Sequence, residues 1–186
     1  MSMAPPSRIR SLFVLGGARS GKSAYAQRLA EASCAERLYL ATATPGDEEM
    51  AARIARHRAG RGQGWTTLEE PLELVRALGQ EARAGRVVVV DCLTLWLSNL
   101  MLAGRDPAPA LAGLADAIAA LAGPAILVSN EVGMGIVPDH RLGREFRDWQ
   151  GRANQEIARV CDAAILVAAG LPLQLKPLAT PSVQLG

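Results

Sequence analysis

Short apolar runs alternate with stretches of helical periodicity along most of this chain. Leu12–Leu15 is an apolar run that stops at Gly16-Gly17, and Ser23–Ala35 behind it places Tyr25, Leu29 and Ala32 at helical spacing. Arg37–Thr42 predicts a second strand. Asp47–Arg58 predicts a second helix, acidic at its start and arginine-rich at its end, as the helix dipole favours. Beyond the glycines at 60, 62 and 64, Trp65–Leu68 reads as a short strand and Leu72–Ala84 as a helix opened by Pro71. Arg86–Asp91 carries four consecutive valines, the pattern of a strand buried on both faces of a parallel sheet. A helix is expected over Leu95–Leu102, a loop over Gly104–Pro109, and an Ala/Leu-rich helix over Ala110–Ala122. Ala125–Ser129 reads as a strand, Val132–Arg141 as a loop, Arg144–Cys161 as a long polar helix and Ala163–Ala168 as the last strand. Leu171–Gly186, with three prolines, reads as an irregular tail.

This alternation predicts an α/β fold: one mostly parallel, doubly wound sheet flanked by helices in a single domain. The domain is expected over residues 11–176, between an N-terminal extension at 1–10 and a C-terminal tail at 177–186. The length of 186 residues, 49% of them hydrophobic, supports one good core. A formal net charge of +2 gives no overall field towards nucleic acid or an anionic membrane. No apolar run is long enough for a membrane span, and the N-terminus does not read as a signal peptide. Cys34, Cys92 and Cys161 are far apart and lack metal or redox spacing, so they are expected to be reduced, packed as small hydrophobes, in a cytoplasmic protein.

The chemistry begins at Gly16-Gly17-Ala18-Arg19-Ser20-Gly21-Lys22-Ser23, a full match to G-x-x-x-x-G-K-[ST] with a strand before it and a helix after it. Glycines let backbone N–H groups curl around a phosphate, and the helix N-terminus adds its positive end. Lys22 can bridge the outer phosphates, and the Ser23 hydroxyl can hold Mg²⁺. Asp91 closes the valine strand, where an acid can hold the same Mg²⁺ or its waters; an unpaired carboxylate would be costly as core filler. Loop and acid together fit a kinase, an NTPase or a nucleotidyltransferase without choosing between them.

His57 lies among Arg53, Arg56, Arg58 and Arg61. The charges are all arginine, which favours bidentate phosphate recognition, and Arg53, His57 and Arg61 would share one stripe if the helix extends through Gly60. From the residues alone His57 can be a nucleophile towards phosphorus, a phosphate contact or part of a solvated face. Asn130 and Glu131 follow a strand, where parallel sheets bind ligands, and can hold substrate or metal or simply cap a loop. His140 reads as a surface loop residue or a site lining. Trp149, Gln150, Arg152 and Asn154 lie on the long polar helix, solvated or packed on another subunit.

The segments GGARSGKS, YLATAT, DEEMAARIARHRAGR, WTTLEEP, VVVVDCLTLWLSNL, VSNEVGMGIVP and REFRDWQGRANQEIA occur in that order from about Phe13 to Lys176. Together they closely resemble the bifunctional adenosylcobinamide kinase / adenosylcobinamide-phosphate guanylyltransferase family of cobalamin biosynthesis. The resemblance implies a RecA-like P-loop sheet and a homotrimer. It implies phosphorylation of adenosylcobinamide by ATP or GTP. Transfer of GMP from GTP to adenosylcobinamide-phosphate follows, through GMP held on a histidine whose position is that of His57. The nucleotide contacts it implies fall on Gly16, Gly17, Ala18, Arg19, Ser20, Gly21, Lys22 and Ser23. Others fall on Ala41, Thr42 and Ala43, on Arg58, Ala59, Gly60 and Arg61, on Glu69 (or its neighbour Glu70) and on Asp91. Guanine preference comes only from the resemblance, because no N-K-x-D box is present. Two other readings stay open: a P-loop kinase for another small metabolite, and a non-catalytic nucleotide-binding module.

Overall fold

The computed structural model describes residues 9–44, 55 and 61–177. Seven strands form one sheet: β1 (Ser11–Gly16), β2 (Glu36–Ala41), β3 (Trp65–Glu69), β4 (Arg86–Asp91), β5 (Ala125–Asn130), β6 (Ala163–Ala168) and β7 (Leu171–Lys176). Their order is β3-β2-β4-β5-β1-β6-β7, parallel except for β7, which runs antiparallel to β6. The helices among the described residues are α1 (Lys22–Ser33), α2 (Leu74–Glu81), α3 (Leu93–Leu102), α4 (Pro107–Ala119) and α5 (Arg141–Val160). Of the helix expected over Asp47–Arg58, only Ala55 is described, in helical conformation; the rest lies outside the described residues.

The valine strand shows why the layers form. Val88 and Val90 join the core under α2, α3, α4 and α5, whereas Val87 and Val89 join the core on the other face, against α1. All four are buried, so alternation gives way to a continuous apolar run. Phe13 and Leu127 serve the four-helix face, and Val14 and Val128 the α1 face.

Two elements differ from the sequence expectation. The presumed loop over Gly104–Pro109 ends early, because Pro107 takes the first helical position of α4. The Asp106 side chain caps that helix, accepting from the Ala108 N–H at 3.0 Å. The irregular tail begins with a true strand, β7. Ala169 and Gly170 turn the chain with φ of 51° and 80°, the positive pair a tight hairpin needs. Pro172 is tolerated because β7 is an edge strand. The Lys176 ammonium fixes its far end by donating to the carbonyls of Ala158, Arg159 and Cys161 at the α5 terminus.

The cysteines behave as expected: all three are free, and Cys92 and Cys161 are buried. Burial and the adjacent Asp91 carboxylate push the Cys92 thiol up to about 11, and burial pushes that of Cys161 up to about 12, so both stay protonated. No helix among the described residues is long and apolar enough to cross a membrane. Leu127 is fully buried on the central strand. Leu127→Ala is therefore expected to destabilise the fold by about 2–5 kcal/mol, read as a lower denaturant midpoint with an unchanged m-value.

Candidate active site

β1 delivers the chain to the phosphate loop, and α1 carries it away. Gly21 takes φ 95° at the N-cap of α1, and no side chain caps that helix, so its first N–H groups point into the loop. Arg19 also has a positive φ, of 58°. The Lys22 ammonium is buried and donates to the Gly17 carbonyl at 3.1 Å. The Ser20 hydroxyl is buried with no partner among the described residues, as expected for a group whose partner is a bound phosphate. From below, the Gly170 N–H braces the loop by donating to the Ser20 carbonyl at 2.8 Å.

Sheet register brings the other predicted residues to the same end. Gly16 pairs with Asn130, and Asp91 with Val128, so one strand, β5, separates the loop from the acid. Two strand spacings are about 10 Å, room for a phosphate and a hydrated ion. Ala41 pairs with both Asp91 and Glu69. Thr42 is fully buried; its hydroxyl donates to the Cys92 carbonyl at 2.7 Å and accepts from the Cys92 N–H at 2.9 Å. Its own carbonyl accepts from Asn99 at 2.8 Å. Ala41-Thr42-Ala43 thus forms a wall that locks the ends of β2 and β4 together.

Glu69 and Glu70 differ in their surroundings. The Glu70 carboxylate accepts from the N–H groups of Leu72 and Glu73 at 3.3 and 2.9 Å, serving the start of α2. Glu69 is exposed at the end of β3. Four strand spacings, about 19 Å, separate β3 from β1. Arg61 lies with its guanidinium carbon 3.9 Å from the centre of the Tyr39 ring, and the Tyr39 hydroxyl donates to Asp91 Oδ2 at 2.8 Å. His57, Arg58, Ala59 and Gly60 lie outside the described residues.

Sequence reasoning missed a buried polar network beneath β5. Gln150 and Asn154, read above as solvated or intersubunit, are buried against the sheet. Gln150 Nε2 donates to the Ser129 hydroxyl at 3.0 Å and to Asn154 Oδ1 at 2.9 Å, and Ser129 donates to Asn154 Oδ1 at 2.8 Å. Asn154 Nδ2 then donates to the Asn130 carbonyl at 3.0 Å, and the Asn130 N–H donates to Thr94 at 2.8 Å. The signal was available: 150, 153, 154 and 157 share the buried stripe of α5, so the two amides fall on the core face. The Glu131 N–H donates to the Gly16 carbonyl at 3.0 Å, joining the network to the phosphate loop. His140 is the N-cap of α5, its Nδ1 accepting from the Gly143 N–H at 3.0 Å.

Among the described residues no three His, Cys, Asp or Glu side chains cluster to hold a metal. Mg²⁺ fits this sparse set nonetheless, because it keeps waters and takes few protein ligands beside substrate phosphates. The Ser23 hydroxyl and the remaining oxygen of Asp91 are hard donors of that kind.

A parallel sheet with a glycine-rich loop at its first strand end, and an acid one strand beyond its neighbour, defines a P-loop nucleotide enzyme. Solved structures share the fold. The assembled type III secretion ATPase EscN of enteropathogenic E. coli has a TM-score of 0.57 at 14% identity, covering 87% of this chain and 43% of that one. The P4 protein of bacteriophage phi6 with ADP has a TM-score of 0.50 at 15% identity, covering 93% and 58%. The family model for cobinamide kinase / cobinamide phosphate guanyltransferase matches residues 12–175, and the chain belongs to that family. It is 50% identical over 167 residues to the bifunctional adenosylcobalamin biosynthesis protein CobP of Pseudomonas aeruginosa, covering 88% of this chain and 95% of that protein. It is 38% identical over 180 residues to the Escherichia coli protein CobU of the same description, covering 89% and 99%.

A Cβ on Gly16 would stand 2.5 Å from both the Ser20 hydroxyl and the Val167 backbone carbonyl. Relieving such overpacking costs about 1–3 kcal/mol. Gly16→Ala should accordingly weaken nucleotide binding roughly ten- to hundredfold, read by titration with a fluorescent GTP analogue.

Proposed function

We propose that this chain phosphorylates adenosylcobinamide and then joins GMP to the product through a guanylyl-histidine at His57. The carrying observation is the register that sets Asp91 on the strand beyond β5, the neighbour of the phosphate-loop strand, with Arg61 stacked on the Tyr39 ring whose hydroxyl holds that acid. In the first reaction the acceptor hydroxyl oxygen attacks the γ-phosphorus of ATP or GTP. The bond to the bridging oxygen breaks, and a nucleoside diphosphate leaves. The loop N–H groups and Lys22 hold the outer phosphates and offset the charge that develops on them. Mg²⁺, held by Ser23 and Asp91, would supply further charge neutralisation there.

The second reaction needs attack at the α-phosphorus, one anhydride away. A histidine nitrogen forms a bond to the α-phosphorus of GTP, and pyrophosphate leaves while Lys22 and the loop retain it. The phosphate oxygen of adenosylcobinamide-phosphate then displaces the histidine, giving adenosylcobinamide-GDP. His57 stands four residues before Arg61, so chain connectivity tethers it within about 14 Å of a residue placed beside Asp91. Glu69, four strands from the loop, is too far for a phosphate seated there and suits the nucleoside end or the acceptor.

Incubation with α-labelled GTP alone, followed by denaturation in acid or alkali, tests the intermediate. The wild-type protein should carry label that is acid-labile and alkali-stable. His57→Ala should carry none, while still phosphorylating adenosylcobinamide from γ-labelled ATP. Full labelling of His57→Ala would overturn the assignment.

A further inference from the structure

Tyr39 sits on β2 with its side chain on the α1 face of the sheet and 6% of its surface exposed. Its register partner on β4 is Val89, and Asp91 lies two residues further along the same face. That diagonal is about 7–8 Å between backbones, beyond a short side chain but within reach of a phenol. The hydroxyl closes it by donating to Asp91 Oδ2 at 2.8 Å. Burial and the Asp91 carboxylate both push the phenol well above its ordinary range, so it remains a donor.

The ring does separate work. Trp65 meets it edge-on, with centroids 6.2 Å apart at 76°, and is itself fixed by donating from its indole N–H to Glu31 on α1 at 3.1 Å. The face of the ring is covered by the Arg61 guanidinium, 3.9 Å from its centre. A cation so placed over a tyrosine is attracted by the ring quadrupole. One side chain therefore touches both the acid that ends β4 and the arginine that ends the basic segment.

We infer that Tyr39 is a positioning residue with two separable roles: its hydroxyl orients Asp91 towards the metal, and its ring holds Arg61 towards the guanylyl-transfer site. The inference rests on the nucleotide and metal reading of the site given above. With one Asp91 oxygen taken by the phenol, the other is left to face the ion or its water shell. Arg61, its guanidinium carbon over the ring, is held close to the same acid by a contact that leaves its planar donor set chemically intact for phosphate recognition.

Substitution separates the roles. Tyr39→Phe keeps the ring and removes the hydroxyl; Tyr39→Leu removes both. Mn²⁺ binding, followed by electron paramagnetic resonance with a non-hydrolysable α,β-methylene GTP analogue, reads the first role without turnover. Self-guanylylation at saturating Mg²⁺, without acceptor, reads the second. Both variants should bind Mn²⁺ about three- to tenfold more weakly, the range a single hydrogen bond contributes. Guanylylation at saturating metal should stay near the wild-type rate in Tyr39→Phe and fall about tenfold in Tyr39→Leu. Unchanged Mn²⁺ affinity in Tyr39→Phe, or equal guanylylation in the two variants, would overturn the inference. Absence of nucleotide-dependent Mn²⁺ binding in the wild type would instead overturn the metal reading, and the inference with it.

Discussion

The backbone hydrogen bonds that hold β1, β5 and β4 in parallel register decide where everything else at this site stands. They bring three strand ends to one edge and set Gly16 opposite Asn130 and Asp91 opposite Val128. A one-residue slip of a strand would reverse its faces. In β4 the cost falls at the ends, where a slip would draw Arg86 or Asp91 among the buried residues in place of a valine. The burial of strand residues therefore controls the spacing between the phosphate loop and the acid. Preorganisation of this kind is what phosphoryl transfer requires, since the protein contributes mainly position and charge.

Polar contacts refine what the ladder sets. Thr42 binds the end of β2 to that of β4, and Glu70 binds the end of β3 to the start of α2. Ser129, Gln150 and Asn154 steady the end of β5 from beneath. Apart from Gln150 Oε1, which is buried without a partner among the described residues, these groups are satisfied by one another or by backbone, and they rigidify the site without burying an unpaired charge. The phosphate loop and Asp91 stand on these braced ends.

The phosphate loop and Asp91 were legible in the sequence because their chemistry is local. A loop needing positive φ and close backbone approach must be written in glycine, and a carboxylate after four valines has few structural excuses. The core strands were legible for the same reason. Gln150 and Asn154 were not, because a polar side chain on a polar helix reads as solvated until the sheet shows which stripe it joins. The strand β7 escaped because its turn is Ala169-Gly170, without the usual Asn-Gly signal, and because prolines surround it. Tyr39 was read only as part of the second strand, since its use depends on a diagonal that only the register of β2 and β4 creates.

The brace from Gly170 to Ser20 spans 150 residues of sequence, and β1 is walled by β5 and β6, both encoded in the last third of the chain. Contacts of such separation form late, after the intervening loop has been closed at an entropic cost. During synthesis, the glycine loop emerges from the ribosome about 150 residues before the floor beneath it. The nucleotide pocket is thus completed only once β6 and Gly170 have joined β1. A truncated product that has β1, α1 and the whole GKS signature still lacks the surface that holds them in shape.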